Sequence, residues 1–308
     1  MGDATRLSRR GWLIGAIAAA CGPARRAGAD DKREVEARAK EAGLGPFRSS
    51  ETELYRGLGN ADDAFREQAL KLCEGLARDF LGHFKAKGFA VEKPKKRMTV
   101  VALANEKDFT RFFEEDPGPA TGGLYDIDKN WLVVFDFRNS DAAANARQAN
   151  TIALMHEATH QLTFNADLLD RQGDIPLCVT EGLAMYGEVR TADGRTKIGA
   201  RNDAWLPVLA PALQPEGGWI PLERLLVEDK LLNDPDTQHL ARAQGWLLVY
   251  HLLKTSKLLP GFRAYLAAIR PRRDSDRRLD DARAHLGPLG PLDRDLRRLA
   301  STLTRRRS

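Results

Sequence analysis

His156-Glu157-Ala158-Thr159-His160 is an H-E-x-x-H motif inside a stretch that reads as a helix. Side chains four apart on a helix lie one above the other on one face. Both imidazoles therefore point to one spot, as two ligands of a tetrahedral zinc must. Glu157 leaves the helix about 100° further round than His156, so its carboxylate can reach a metal-bound water rather than the metal. Five residues thus supply two nitrogen ligands and a general base. A pair of core histidines bonded to backbone is the plainer alternative, and the Glu between them weighs against it.

The flanking residues carry the helix and suggest a third ligand. From Ala142 to Phe164 there is neither Pro nor Gly, and Asn139, Ser140 and Asp141 offer N-cap chemistry before it. Ile152, Met155, Thr159 and Leu162 recur at helical spacing, with His156 and His160 at the edge of this mostly apolar side. Beyond the turn-rich stretch Arg171 to Pro176, Glu181 sits in Val179-Thr180-Glu181-Gly182-Leu183-Ala184-Met185-Tyr186. A Glu on this second helix completes a His₂Glu set and leaves one position open for water, as in catalytic zinc sites. Thr180 is the expected cap of a helix that begins at Glu181. Taken alone, Glu181 would be explained by the positive end of that helix dipole; beside His156 and His160 the ligand reading prevails. Cys178 is the alternative fourth ligand, which would close a structural site.

The pairing of His156-Glu157-Ala158-Thr159-His160-Gln161-Leu162 with Thr180-Glu181-Gly182-Leu183-Ala184-Met185-Tyr186 resembles the gluzincin branch of zinc metallopeptidases. That branch includes aminopeptidase-N-like and thermolysin-like enzymes. From about Phe65 to Leu299 the pattern is more similar still to a bacterial exported family of peptidase-MA-like proteins of unknown function. In that family a long helix precedes a strand, a short helix, a G-x-Y hairpin, the H-E-x-x-H helix and an E-G-x-A helix. The resemblance implies an α+β, zincin-like (gluzincin) fold, with a small mixed sheet followed by a helical C-terminal part. It implies one zinc ion per chain on His156, His160 and Glu181, Glu157 as catalytic base, and a peptide or protein substrate. Two positions depart from the pattern. Cys178 stands where an aromatic residue is common, and Arg242, in Arg242-Ala243-Gln244-Gly245-Trp246, stands where a Tyr is common. Arg242 is therefore the first candidate for stabilising the oxyanion, followed by Tyr186, His239 and Tyr250.

The rest of the chain reads as one domain over residues 61–300. Phe65, Ala69, Leu72, Cys73, Leu76, Phe80 and Phe84 mark an amphipathic helix ended by Gly88, and Met98 to Ala104 reads as a buried strand. Phe109, Phe112 and Phe113 sit on a short helix. Gly122-Gly123-Leu124-Tyr125 and Trp131 to Phe135 form a hairpin turning at Asp128-Lys129-Asn130. In gluzincin-like folds the sheet edge beside the metal helix pairs with the substrate backbone. By that analogy Gly122, Gly123 and Leu124 bind peptide; equally, the two glycines only permit a tight turn. Helices are expected over Leu222 to Leu232, Gln238 to Lys254 and Phe262 to Ile269, with Arg270 to Arg278 a solvated connection. Residues 30–60 read as a linker or N-terminal arm, and 301–308 as a basic tail.

The N-terminus reads as an export signal over residues 1–29. Ser8-Arg9-Arg10-Gly11-Trp12-Leu13-Ile14 resembles a twin-arginine pattern, and the apolar run from Trp12 to Cys21 is too short to span a bilayer. Ala27-Gly28-Ala29 offers the favoured cleavage site; a lipid anchor at Cys21 is the alternative. The 308 residues carry 48 basic and 43 acidic side chains. Removing Arg6, Arg9, Arg10, Arg25, Arg26 and Asp3 leaves 43 and 42, a net charge of +1. The basic excess is thus partly a property of the signal, and nucleic acid is not implied, with no stacked-aromatic basic motif in the chain. The mature chain is expected in the periplasm, at the cell envelope or secreted, with no transmembrane segment. The expectation is an exported zinc peptidase. Its alternatives are a non-catalytic exported or envelope-associated module with a structural zinc, and a zinc hydrolase acting on a non-peptide amide or ester.

Overall fold

Successive side chains of a strand face opposite ways, and this alternation sorts the sheet of the protein into two cores. The computed structural model describes residues 31–113, 122–139, 146–190 and 197–305. Helix α1 (Asp31–Glu41) leads to strands β1 (Arg48–Glu51) and β2 (Tyr55–Gly59). Helix α2 (Asp63–Ala86) follows, with the Asp62 carboxylate accepting the Phe65 amide as its N-cap. Then come β3 (Met98–Leu103), α3 (Glu106–Phe112) and the hairpin of β4 (Gly123–Asp126) and β5 (Trp131–Phe135). The strand order is β1-β2-β3-β5-β4. The three inner strands β2, β3 and β5 are parallel, and both edges are antiparallel.

Val100, Leu132 and Val134 face the larger core, against Leu70, Cys73, Leu76 and Phe80 of α2. Val101, Leu103, Val133 and Phe135 face a smaller core closed by Val35 and Ala39 of α1 and by Phe109 and Phe112 of α3. A sheet covered on both faces requires the near-continuous apolar strands seen in Met98–Leu103 and Trp131–Phe135.

The larger core continues into helices α4 (Ala146–Asn165), α5 (Leu177–Gly187), α6 (Leu206–Ala212), α7 (Leu222–Val227), α8 (Gln238–Lys254), α9 (Leu259–Ile269), α10 (Arg278–Leu286) and α11 (Leu289–Arg305). The fold is thus mixed α+β, a small mixed sheet followed by helices. No helix among the described residues is long and apolar enough to cross a membrane.

Several expectations need correction. The stretch 30–60, read as a linker or arm, supplies α1, β1 and β2, with Val35, Tyr55 and Leu58 fully buried. The tail read over 301–308 is helical to Arg305, and Leu303 is buried against the larger core. Arg270 to Arg278 is largely solvent-exposed as expected, but Arg278 is buried, and Arg270, Arg273 and Arg278 pair with Asp167, Asp170 and Asp174. The export segment, its cleavage site, Cys21 and the caps expected of Ser140 and Asp141 lie outside the described residues.

Candidate metal centre

Helix α4 lies along β4 and β5 and buries Leu154, Met155, Ala158 and Leu162 in the larger core. That fixes the rotation of the helix and turns His156 and His160 toward α5. Their Nε2 atoms come within 3.2 Å of each other, with both side chains buried. Helix α5 begins at Leu177 rather than Glu181, so Thr180 is no N-cap; its hydroxyl donates to the Leu177 carbonyl. Asp229 takes the cap role by accepting the Leu177 amide at 2.9 Å. Glu181 therefore stands in the second turn, beyond the reach of a first-turn dipole effect.

A close helix crossing sets the depth of Glu181. A Cβ on Gly182 would lie 2.4 Å from the Gly245 carbonyl oxygen of α8, and one on Gly245 would lie 2.6 Å from that of Cys178. Only glycine lets the two backbones approach this closely. Glu181 then reaches both histidines: Oε2 is 3.5 Å from His156 Nε2, and Oε1 is 3.3 Å from His160 Nε2.

These residues fit a metal ion. Nitrogen and oxygen ligands about 2.0–2.2 Å from a tetrahedral zinc stand roughly 3.3–3.5 Å apart. The two imidazole nitrogens, 3.2 Å apart, suit that spacing, each has one Glu181 oxygen at 3.3 or 3.5 Å, and with one ligand atom per residue the three lie within 4.8 Å of one another. Neither Glu181 oxygen has a hydrogen-bond partner, although both are buried. A buried carboxylate is costly unless a cation meets it. Among the described residues, His156, His160 and Glu181 form the group able to hold a metal.

The electrostatics ask for positive charge at the same point. Burial opposes protonation of His156, but the facing carboxylates of Glu181 and Glu188 outweigh it and raise its pKa to about 10. Burial likewise opposes ionisation of Glu181, yet the charge of Arg242 and the two imidazoles hold its carboxyl well below the usual range. A proton on His156 thus does what a metal cation would do better: it balances buried carboxylates.

Glu157 differs from Glu181. Its Oε2 accepts the Tyr125 backbone amide at 2.8 Å, while its Oε1 is buried without a hydrogen-bond partner. Burial raises its carboxyl pKa and Glu181 adds to this, against the opposing pull of the two histidines and the Tyr125 amide. A carboxylate with a raised pKa and one free oxygen is suited to proton transfer.

The structure brings together His156, Glu157, His160, Glu181 and Arg242, whose Nε is 3.6 Å from Glu181 Oε2. Gly122, Gly123 and Leu124 lie at the start of the edge strand β4 and are buried. A Cβ on Gly123 would come within 3.1 Å of Glu157 Cγ, and one on Gly122 within 2.6 Å of Phe137. The glycines therefore give room to the helix and to a neighbouring ring, a need that neither sequence reading named. Cys178 is buried and free, and it is outside the ligand group. Burial, reinforced by Asp229, pushes its thiol well up, so it stays protonated. Tyr186 is bound to His83, with 3.0 Å between its hydroxyl and Nε2.

Sequence reasoning missed Glu188. Its Oε2 meets His156 Nδ1 at 3.0 Å, and its Oε1 accepts from Asn202 Nδ2 at 2.5 Å and Trp205 Nε1 at 3.3 Å. A carboxylate on the far nitrogen of a ligating His fixes its tautomer and ring orientation. The signal was present: Glu188 follows Glu181 by seven residues, two helical turns on one face.

Fold and site define a mixed α+β protein with a buried His-His-Glu group that could hold a metal ion. Residues 148–268 match the family described as a protein of unknown function, DUF1570. The match covers less than half of the chain, yet contains the H-E-x-x-H motif, Glu181, Glu188 and Arg242. No curated protein matches the chain.

Proposed function

We propose that this protein is an exported zinc-dependent peptidase on a zincin-like, gluzincin scaffold. The observation that carries the reading is Glu157. A purely structural metal site needs no uncoordinated, buried carboxylate beside it, and such sites usually close with a fourth protein ligand. Here Cys178 is elsewhere and Glu157 keeps one oxygen open.

His156, His160 and Glu181 would hold the ion, with Glu188 orienting His156. When bound, zinc supplies Lewis acidity to the substrate carbonyl and lowers the pKa of water. Glu157 takes the proton of the attacking water at Oε1 and passes it to the leaving amine. Its raised pKa favours both transfers. The Tyr125 amide keeps the carboxylate from swinging away between them.

The peptide class rests on the edge strand. In an antiparallel ladder alternate residues turn their amides away from the partner strand. The Tyr125 amide goes to Glu157, so Tyr125 and Gly123 present backbone groups on the side of β4 away from β5, toward the metal helix. An extended substrate adding a strand there would meet Gly123 next to the base. The twin-arginine-like segment supports export.

The test is metal analysis of the purified protein together with digestion of a broad peptide library. Zinc near one ion per chain and cleavage of internal or terminal peptide bonds are expected. Absence of zinc after reconstitution overturns the reading, and cleavage confined to esters or non-peptide amides replaces the substrate class.

A further inference from the structure

Three buried carboxylates surround the candidate centre, and each has its own partner. Glu157 is held by the Tyr125 amide, and Glu188 by His156, Asn202 and Trp205. For Glu181 the charged partner outside the ligand group is Arg242, with Nε 3.6 Å from Oε2. The side chains are 5% and 1% exposed, so solvent screens this pair little. The crossing of α5 and α8 dictates the meeting. Glu181 adjoins Gly182, and Arg242 lies three residues before Gly245, the two glycines at which the backbones touch.

We infer that Arg242 is a positioning residue for the third ligand: its guanidinium fixes the Glu181 carboxylate between His156 and His160 rather than donating to a tetrahedral oxyanion. An oxyanion donor must aim at the oxygen of the attacked carbonyl. The Arg242 contact is instead to Glu181 Oε2, the same oxygen that faces His156 Nε2, where it can hold the carboxylate in place. The glycine crossing gives a reason for this placement, since without it α8 would stand too far from α5 for the contact. The role of holding the carboxylate is independent of the bond the protein cleaves, but it rests on the reading that His156, His160 and Glu181 bind the metal.

The experiment is a zinc titration of the purified full-length protein and of Arg242→Gln, Arg242→Lys, Glu181→Gln and the Arg242→Gln/Glu181→Gln pair. Arg242→Gln is expected to weaken zinc binding by about 10- to 100-fold, the range for groups that orient a metal ligand. Arg242→Lys, which keeps the charge, should recover part of the loss. In the Glu181→Gln background Arg242→Gln should add little, because the two act as one unit. Raising the zinc concentration should restore full metal occupancy of Arg242→Gln. Unchanged zinc affinity in Arg242→Gln overturns the inference, and a fall in kcat at saturating zinc with unchanged affinity would assign the oxyanion role instead. Should Arg242→Gln not fold, the cobalt absorption spectrum of Arg242→Met, which removes the charge at similar size, decides. A shifted ligand-field band supports the positioning role, and a wild-type band with wild-type affinity refutes it. Failure of the wild type to bind zinc or cobalt is a separate result, which removes the metal reading itself.

Discussion

The backbone amide of Tyr125 donates to Glu157 Oε2 at 2.8 Å, tying the edge strand of the sheet to the helix that carries both histidines. The bond leaves Oε1 as the oxygen that can exchange a proton. It also explains Gly123, whose missing side chain gives the Glu157 methylenes room against β4.

Glu157→Gln should therefore retain zinc, because its amide oxygen still accepts from Tyr125. It should lose hydrolysis by at least about 10²-fold, the scale of general-base contributions. Gly123→Ala should displace the base without touching a ligand. A drop of about 10- to 100-fold in kcat at unchanged zinc affinity is expected, the cost of misplacing a catalytic group by roughly 1 Å. Steady-state kinetics with parallel zinc titration check both. Loss of zinc in Glu157→Gln would make Glu157 a ligand and undo the assignment.

Glu188→Gln should weaken zinc binding by about 10- to 100-fold. Gln can still accept a bond from His156 Nδ1–H, but the anion that raises the basicity of the imidazole is lost. Glu188→Ala should cost more, since Asn202 and Trp205 then lose their acceptor. Competition with a chromogenic chelator measures both. A Glu188→Ala variant with wild-type affinity would show that His156 needs no such support.

What could be read from sequence follows the physics of each feature. H-E-x-x-H is local, so its geometry is contained in five residues of helix, and Gln238 to Lys254 was legible end to end from its apolar spacing. Tyr125 was not, because its partner is chosen by tertiary packing, and the seven-residue spacing that puts Glu188 on the face of Glu181 does not name His156 as its partner. The segment Tyr55–Gly59 looked like a loop for its glycines, yet a Cβ on Gly59 would lie 1.8 Å from the Ala102 carbonyl oxygen of the neighbouring strand. Gly59 marks close strand approach and Gly57 gives room to Arg66 and Leu70 of α2, so neither marks flexibility. Helix α11 carries Leu289, Leu292, Leu296, Ala300 and Leu303 on one buried face, a pattern hidden among arginines.

Arg278 joins the loop between the two ligand helices to the C-terminal helices. It forms two bonds to Asp174, at 2.6 and 2.7 Å, and pairs with Asp229 at 2.9 Å; Asp229 in turn caps α5. Arg278→Ala should destabilise the protein by about 2 kcal/mol, less than the ~3–5 kcal/mol for breaking a fully buried pair, because both aspartates retain some solvent. Since α5 carries Glu181, zinc affinity should fall as well. Urea unfolding and zinc titration test the two effects. Unchanged values in both would show that the loop is held without this arginine.

His83 gives a pH dependence of opposite sense to that of the ligand histidine. Burial, with the charges of Lys87 and Lys254, lowers its pKa to about 4. Its unfolded value is near 6.5. Between these two values the unfolded chain binds a proton that the folded chain refuses. The contribution of His83 to stability is therefore complete above about pH 6.5, falls as pH drops toward 4, and changes no further below that. His156, raised to about 10, contributes in the metal-free protein below pH 6.5 and loses this contribution as pH rises through 10. Melting curves of metal-free wild type and His83→Gln across pH 4–8 isolate the first effect. The stability difference between them should grow steadily less favourable to the wild type as pH falls from 6.5 to 4. A difference that stays flat over this window would mean that His83 takes up its proton in the folded protein as readily as in the unfolded chain.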